Sequence, residues 1–297
     1  MTSTPSKPRM PRKPDFMIIG AMKCATSTLH DQLAVQEGMV MSMPKEPNFF
    51  SDEENFGRGL SWYWSLFARA ETGELCGESS THYTKLPRHP KVVERVAEHV
   101  PDAKFIYVMR NPLDRLVSHY MHEWTQRVLT VSLAKAIDEH PALIQFGQYA
   151  MQLEPFFEAF GKDRVLPVFF DRLRTHSQEE LERVCKFIGY DGAPKWKQDM
   201  GAKNVSGERM RKSKLRDLIV YAPGISQLRQ RMPQGVRDRI KKLWTMNKRP
   251  ELTESQRRRL EAVFNPDLAK LGGWLGVPEL TCANFKDITR DRALDWV

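Results

Sequence analysis

Short apolar runs alternate with amphipathic stretches through the first 190 residues of the chain. Asp15-Phe-Met-Ile-Ile-Gly20 is a run of strand length ending at a glycine, and after Ala21 to Ala25 the helical periodicity of Thr26 to Val35 takes over. Lys104-Phe-Ile-Tyr-Val-Met-Arg110 is a second run, bounded by Pro101-Asp102 before it and Asn111-Pro112 after it. Pro112 suits the first turn of a helix running to about Arg127, because its φ is already helical and its missing N–H has no intrahelical partner there. Arg164 to Phe170 is a third run, set between helical patterns at Tyr149 to Phe160 and Gln178 to Ile188, and Leu75 to Ser79 and Val40 to Ser42 predict further short strands. Strands separated by helices imply βαβ units. The expected fold is therefore α/β, a P-loop-like central parallel sheet flanked by helices.

After about Lys203 the strand signals stop. The chain there predicts basic amphipathic helices near 207–221, 235–245 and 253–272, broken at Pro223-Gly224, Pro233 and Pro250. Between Lys203 and Arg249 there are 14 Lys or Arg against Glu208, Asp217 and Asp238, so the net charge of +9 is concentrated in that segment. Residues 1–14 carry four prolines among Lys7, Arg9, Arg12 and Lys13, a composition that predicts a disordered basic tail. The expected organisation is that tail followed by one domain over 15–297, its portion from 203 onward helical. At 297 residues and 41% hydrophobic, the chain can bury a substantial core. It has no run near the roughly 18 apolar residues of a membrane span, and Met1 to Pro14 lacks the apolar centre of a secretory signal, so a cytoplasmic location is expected. Cys24, Cys76, Cys185 and Cys282 are scattered without zinc-like spacing and read as reduced thiols. No segment repeats.

Three places carry chemistry. The first is the loop Gly20-Ala-Met-Lys23-Cys24-Ala25-Thr26-Ser27-Thr28-Leu29, between the first strand and the first helix. Backbone N–H groups converge at such a turn and carry partial positive charge, which suits a phosphate, and Lys23 adds a full charge. The spacing is not the GxxxxGK[ST] of nucleoside triphosphatases, and a plain polar helix cap is the alternative. The second is Arg110, delivered by a strand end where a nucleotide hydrolase usually places a metal-binding Asp, with Ser118 eight residues on. A cation and a hydroxyl at the carboxyl edge of a parallel sheet fit a second anionic group; a surface arginine and a helix serine are the ordinary alternative. The third is Pro44-Lys45-Glu46-Pro47-Asn48-Phe49-Phe50, a carboxylate on a rigid backbone anchored by two aromatics, as a general base requires, although a Lys-Glu pair in a loop can be merely solvated.

Together these segments resemble the sulfotransferases that use 3′-phosphoadenosine 5′-phosphosulfate (PAPS), especially bacterial members and those related to heparan sulfate sulfotransferases. Gly20 to Leu29 resembles the family's 5′-phosphosulfate loop, G-x-x-K-x-G-T-[ST]-x-L. Lys104 to His119 resembles its 3′-phosphate motif, with Arg110, Asn111-Pro112, Arg115 and Ser118, and Lys45 to Phe50 its Glu-x-x-Phe-Phe element. Gly77 to Tyr83, which includes Glu78 and His82, resembles a Glu-Lys-Ser-x-x-Tyr block, and Asn204-Val-Ser-Gly207 is similar to bacterial members. The likeness covers residues 15–190 and departs at two points. Ala25 stands where the loop usually has glycine, and Ser79 stands where the block has lysine. Lys85 and Lys45 both remain open as the source of that missing charge.

The resemblance implies a donor PAPS, leaving as adenosine 3′,5′-bisphosphate, and no metal, since a sulfuryl group carries less negative charge than a phosphoryl group and cationic side chains can stabilise it. It implies that Glu46 takes a proton from an acceptor hydroxyl or amine that attacks sulfur in line. Lys23 is then expected to stabilise the leaving oxygen, with Cys24 to Thr28 around the 5′-phosphate and Arg110 and Ser118 at the 3′-phosphate. Lys203, Arg209 and Arg211 are expected either to close over the 3′-phosphate or to begin a solvated helix, and Lys45, Glu78 and His82 are candidates on the acceptor side. His119, His122 and Glu123 share a helix without zinc spacing. Trp62, Tyr63, Trp64 and Phe67 read as a helix packing on the sheet, with a sugar-stacking platform as the alternative. The acceptor is a small molecule or glycan, nucleic acid is not expected, and oligomeric state is unreadable. Two rival readings are a metal-dependent nucleotide kinase with a degenerate P-loop, and a nucleic-acid-binding protein using the basic 203–249 segment.

Overall fold

The computed structural model describes residues 12–200 and 249–297, together with the backbone of 209–210 and 245–246. Five strands form the central sheet: β1 (Phe16–Gly20), β2 (Met39–Met41), β3 (Leu75–Ser79), β4 (Lys104–Met109) and β5 (Val165–Phe169), in the order β2-β3-β1-β4-β5. Every pairing in it is parallel. Helices cover both faces, so β1 and β5 are buried at every position, and their sequences read as continuous apolar runs. The α/β fold expected from the pattern is the one observed.

Local chemistry sets the boundaries. Asn111 caps the helix Pro112–Thr125, its side-chain oxygen accepting from the N–H of Leu113 at 3.1 Å, with Pro112 in the first turn. Gly189, in the left-handed conformation, ends the helix Ser177–Ile188. A capping box of Thr253 and Gln256 starts the helix Glu254–Trp274. That helix buries Leu260, Phe264, Leu268 and Leu271 in the same hydrophobic core that begins at Phe16.

Two expectations need correction. Arg12 to Pro14 are not part of a free tail: Arg12 Nη1 donates to the Glu71 carbonyl at 3.0 Å, Lys13 Nζ donates to the His99 carbonyl at 3.2 Å, and Pro14 is buried. The cationic side chains find carbonyls at chain turns, so the packed chain starts before residue 15. Beyond Lys203, strand pairing does occur: β6 (Arg209–Met210) and β7 (Thr245–Met246) form a short antiparallel pair. The helix expected over 207–221 therefore cannot begin at 207, nor the 235–245 helix run to 245. Two-residue strands carry no alternation for a pattern to detect. The remainder of those helices lies outside the described residues.

Among the described residues no helix is long and apolar enough to cross a membrane.

Candidate active site

Because all five strands are parallel, everything that follows their carboxyl ends collects along one edge. The chain leaves β1 toward β2 on one side and later crosses to β4 on the other, which opens a crevice at the end of β1. Gly20 is required there. A Cβ on it would stand 2.1 Å from Thr84 Oγ1 and 2.7 Å from Tyr107 Cε2, so the strand end can pack this closely only without a side chain. The loop that follows is tied to β4 by the Ala21 N–H, which donates to the Val108 carbonyl at 2.8 Å.

Within the loop, Lys23 and Ala25 both take left-handed backbone angles, φ 72° and φ 70°. Ala25 thus keeps the conformation that favours glycine, which is the physical content of the family's usual residue at this point. The helix Thr26–Ala34 begins directly after it, and among the described residues no side chain caps its first turn, whose N–H groups lack intrahelical partners. Thr26 is buried, and Ser27 and Thr28 are half-buried. Cys24 is buried beside the Tyr149 hydroxyl at 3.8 Å. Burial pushes its thiol up to about 11 despite the nearby Arg115 and Arg110, so it is not a thiolate. All four cysteines are free and buried.

Arg110 follows β4, the neighbouring strand, and its guanidinium reaches the loop: Nη1 donates to the Lys23 carbonyl at 3.5 Å. The group lies over the Phe170 ring, 4.3 Å from its centre, and its Nε is buried without a hydrogen-bond partner among the described residues. The first and second predicted sites therefore meet. Ser118 is buried two turns into the next helix, on the stretch that also carries Arg115 and His119. Arg115 is wholly buried and donates to the Leu143 carbonyl. His119 faces Glu123 across 3.6 Å, and burial lowers its pKa to about 4, leaving it neutral near pH 7.

On the other side of β1, Glu46 stands on a loop held at several points. Phe49 and Phe50 are fully buried, and Phe49 stacks on Tyr63 at 4.4 Å. The N–H of Asn48 donates to Ser80 Oγ at 3.1 Å, and Asn55 Nδ2 donates to the Pro47 carbonyl at 3.0 Å. Glu46 itself has φ 55°, a strained angle that persists because its surroundings fix it. Its carboxylate pairs with Lys45 at 3.0 Å, both side chains being about a third exposed or less. The helix Gly59–Ser65 that carries Trp62, Tyr63 and Trp64 packs on the aromatics of this loop.

Glu78 differs from expectation. It is wholly buried in β3, with neither carboxyl oxygen hydrogen-bonded among the described residues, which leaves it no surface to offer an acceptor. Burial pushes it up to about 8, partly offset by the hydroxyls of Tyr83 and Tyr63 beside it. His82 is half-buried, stacks on His89 at 5.1 Å, and is lowered to about 4 by burial and the charge of Lys85. Lys203 and Arg211 lie outside the described residues. Arg209 is described only as backbone in β6, whose Cα atoms come within 8 Å of those of the helix Pro112–Thr125.

A sequence model of the sulfotransferase domain family matches residues 13–273, most of the chain. The chain belongs to that family. Among curated relatives, heparan sulfate glucosamine 3-O-sulfotransferase 3B1 of Mus musculus is 31% identical over 185 residues, covering 59% of this chain and 46% of the relative. The bifunctional heparan sulfate N-deacetylase/N-sulfotransferase 2 of Homo sapiens is 28% identical over 200 residues, covering 60% of this chain and 22% of the relative. The chain thus spans less than half the length of either. Among solved structures, a sulfotransferase from Alicyclobacillus acidocaldarius shares the fold with a TM-score of 0.62 at 24% identity, over 88% of this chain and 95% of that one.

Other residues of this family member shape the site without any local signal in the sequence. Tyr149 bonds both backbone groups of Arg110. Gln152, fully buried, bonds both backbone groups of Leu86. Thr84 bonds the Ile19 carbonyl. These contacts join residues 39 to 66 positions apart, beyond the reach of spacing arguments.

Proposed function

We propose that this chain is a sulfotransferase that moves a sulfuryl group from PAPS to a hydroxyl or amine of a small-molecule or glycan acceptor, the packed chain from Arg12 onward working as one domain. The observation that carries this reading is the junction of Arg110 with the carbonyl of Lys23 at 3.5 Å. Two anion-receptive ends on adjacent strands suit a donor with a 3′-phosphate and a separate 5′-phosphosulfate. The residues present fit such a group: among the described residues no side chain caps the helix at Thr26, and Arg110 Nε is buried and unpartnered. The bound donor supplies an activated sulfuryl group.

The chain's own part follows from placement. Lys23 and the first turn at Thr26, Ser27 and Thr28, with the loop backbone at Cys24 and Ala25, hold the 5′-phosphosulfate. Arg110 and Ser118 hold the 3′-phosphate. Glu46, fixed across the crevice, removes the acceptor's proton. The named activity of the relatives, on heparan glucosamine, makes an amino sugar glycan one acceptor class to test first.

The test is calorimetric titration with adenosine 3′,5′-bisphosphate in EDTA, beside ATP with and without Mg²⁺, repeated on Arg110→Ala. Metal-free binding of the bisphosphate that falls at least tenfold in the variant is the expected result. Mg-dependent ATP binding with no affinity for the bisphosphate would put the kinase reading first.

A further inference from the structure

Lys85 is a buried cation that no carboxylate among the described residues touches. It is 7% exposed, and among the described residues its Nζ makes no hydrogen bond and no ion pair; the ring of Phe146 lies 5.8 Å away. An ammonium so placed is costly unless something pairs with it. Burial lowers it to about 8, with Glu46 and Glu123 acting to raise it and Arg88 and Arg115 to lower it. The imidazoles of His82, His89 and His119, each with its pKa lowered chiefly by burial, also lie within reach of its charge. With its pKa lowered only to about 8, the ammonium is available at neutral pH to an anion that the described residues do not supply.

Its backbone is held from both sides. The preceding Thr84 donates through Oγ1 to the Ile19 carbonyl at 2.7 Å and packs against Gly20, where the 5′-phosphosulfate loop begins. The following Leu86 donates its N–H to Gln152 Oε1 at 2.8 Å, and its carbonyl accepts from Gln152 Nε2 at 3.0 Å. Lys85 is therefore anchored to the end of β1 on the side of β3, which is the side of Glu46 and the opposite side from Arg110. The other lysine open for this role, Lys45, is already paired with Glu46 in a partly solvated contact. Ser79, buried in the sheet with an unpartnered hydroxyl, carries no charge.

Resting on the sulfotransfer reading, we infer that Lys85 is the residue that contacts the sulfuryl group in transit between the 5′-phosphate and the acceptor. In the transfer the acceptor oxygen or nitrogen forms a bond to sulfur, and its proton goes to Glu46. The bond from sulfur to the bridging oxygen breaks, and its electron pair stays on the 5′-phosphate. Lys85 stays protonated throughout and holds the non-bridging sulfuryl oxygens.

The experiment compares two nucleotides, PAPS and adenosine 3′,5′-bisphosphate, on wild-type protein, Lys85→Met, Lys85→Arg and Arg110→Ala, by short-incubation equilibrium dialysis in EDTA with the intactness of PAPS checked. Lys85→Met is expected to weaken PAPS about tenfold or more while leaving the bisphosphate within about twofold. Lys85→Arg should fall between wild type and Met for PAPS, and Arg110→Ala should weaken both nucleotides. The thermal midpoint of ligand-free Lys85→Met should not drop, because the substitution keeps the stem and removes an unpaired buried charge. Equal loss of both nucleotides in Lys85→Met, or loss of neither, overturns the assignment. Wild-type protein that binds neither nucleotide overturns the sulfotransfer reading itself, and the lysine assignment with it.

Discussion

Tyr149 holds Arg110 by its backbone: the tyrosine hydroxyl donates to the Arg110 carbonyl at 2.5 Å and accepts from the Arg110 N–H at 3.2 Å. The tyrosine is itself placed by the far end of the chain. Asp267, on the helix Glu254–Trp274, accepts from the N–H groups of Ala150 and Met151 at 3.0 Å each and so caps the helix Tyr149–Phe160. Tyr149→Phe removes both bonds to Arg110 and leaves the ring in place. The bisphosphate is expected to bind about 5- to 10-fold more weakly, the size of one or two net hydrogen bonds. Calorimetry checks it; unchanged affinity would show that Phe170 and the Lys23 carbonyl suffice to hold Arg110.

Ala25 sits in the left-handed region at φ 70° and ψ 22°. A side chain there costs roughly 1–2 kcal/mol. Glycine relieves that strain and gives back about 0.5–1 kcal/mol in the entropy of the unfolded chain. Ala25→Gly is therefore expected to stabilise the protein by about 0.5–1 kcal/mol in urea unfolding, with bisphosphate affinity retained. A loss of stability would mean that the Ala25 methyl group makes packing contacts worth more than the strain.

Glu46→Gln tests the base. The amide keeps the shape of the loop and its buried aromatics, while the proton acceptor is lost. Bisphosphate affinity should stay within about twofold, and kcat should fall on the order of 100-fold or more, the usual contribution of general-base catalysis. The acceptors to screen are a glucosamine oligosaccharide, simple phenols and primary amines. Near wild-type turnover would remove Glu46 from the chemistry.

The main elements were legible because their chemistry is local. Short apolar runs closed by Gly20 or by Asn111-Pro112 mark β1 and β4, and fixed spacing after each marks the loop at Lys23 and the arginine at 110. What the sequence concealed is long-range. Nothing near Tyr149 or Asp267 shows that they steady Arg110, because the contacts cross 39 and 117 positions. Lys45 and Lys85 are equivalent as letters, and only burial separates the paired one from the unpaired one. Glu78 falls in the predicted strand Leu75 to Ser79, but nothing local shows that both faces of that strand are covered and that the carboxyl is enclosed.

That burial makes Glu78 a source of pH-dependent stability. Its carboxyl is raised from the ordinary range near 4.5 to about 8 by burial. Between those values the folded protein keeps a proton that the unfolded chain has lost. Its contribution to stability is therefore full below about pH 4.5 and is lost as pH rises through about 8. Glu78→Gln carries no such proton, so its thermal midpoint should exceed that of wild type at pH 8.5, with the difference shrinking toward pH 4.5. A constant offset across the range would show that the carboxyl titrates alike in both states.

Glu180 supports the opposite flank of the sheet and gives a contrasting case. It is fully buried, and its two oxygens accept from Arg172 Nε at 3.0 Å and Arg183 Nη2 at 2.7 Å. The same arginines reach the helix Phe285–Asp291 and the segment after it, Arg172 at the Asp291 carbonyl at 3.1 Å and Arg183 at Asp295 at 2.7 Å. Removing the carboxylate leaves two guanidinium groups, each less than a fifth exposed, without their buried counter-ion. Glu180→Ala is expected to cost about 3–5 kcal/mol in denaturant unfolding, since breaking a buried pair strands its partners. Glu179 also pairs with Arg172, at 2.8 Å, but is 62% exposed, and Glu179→Ala should cost less than about 1 kcal/mol. Similar losses from the two variants would show that solvent reaches Glu180 and screens it as fully as its neighbour.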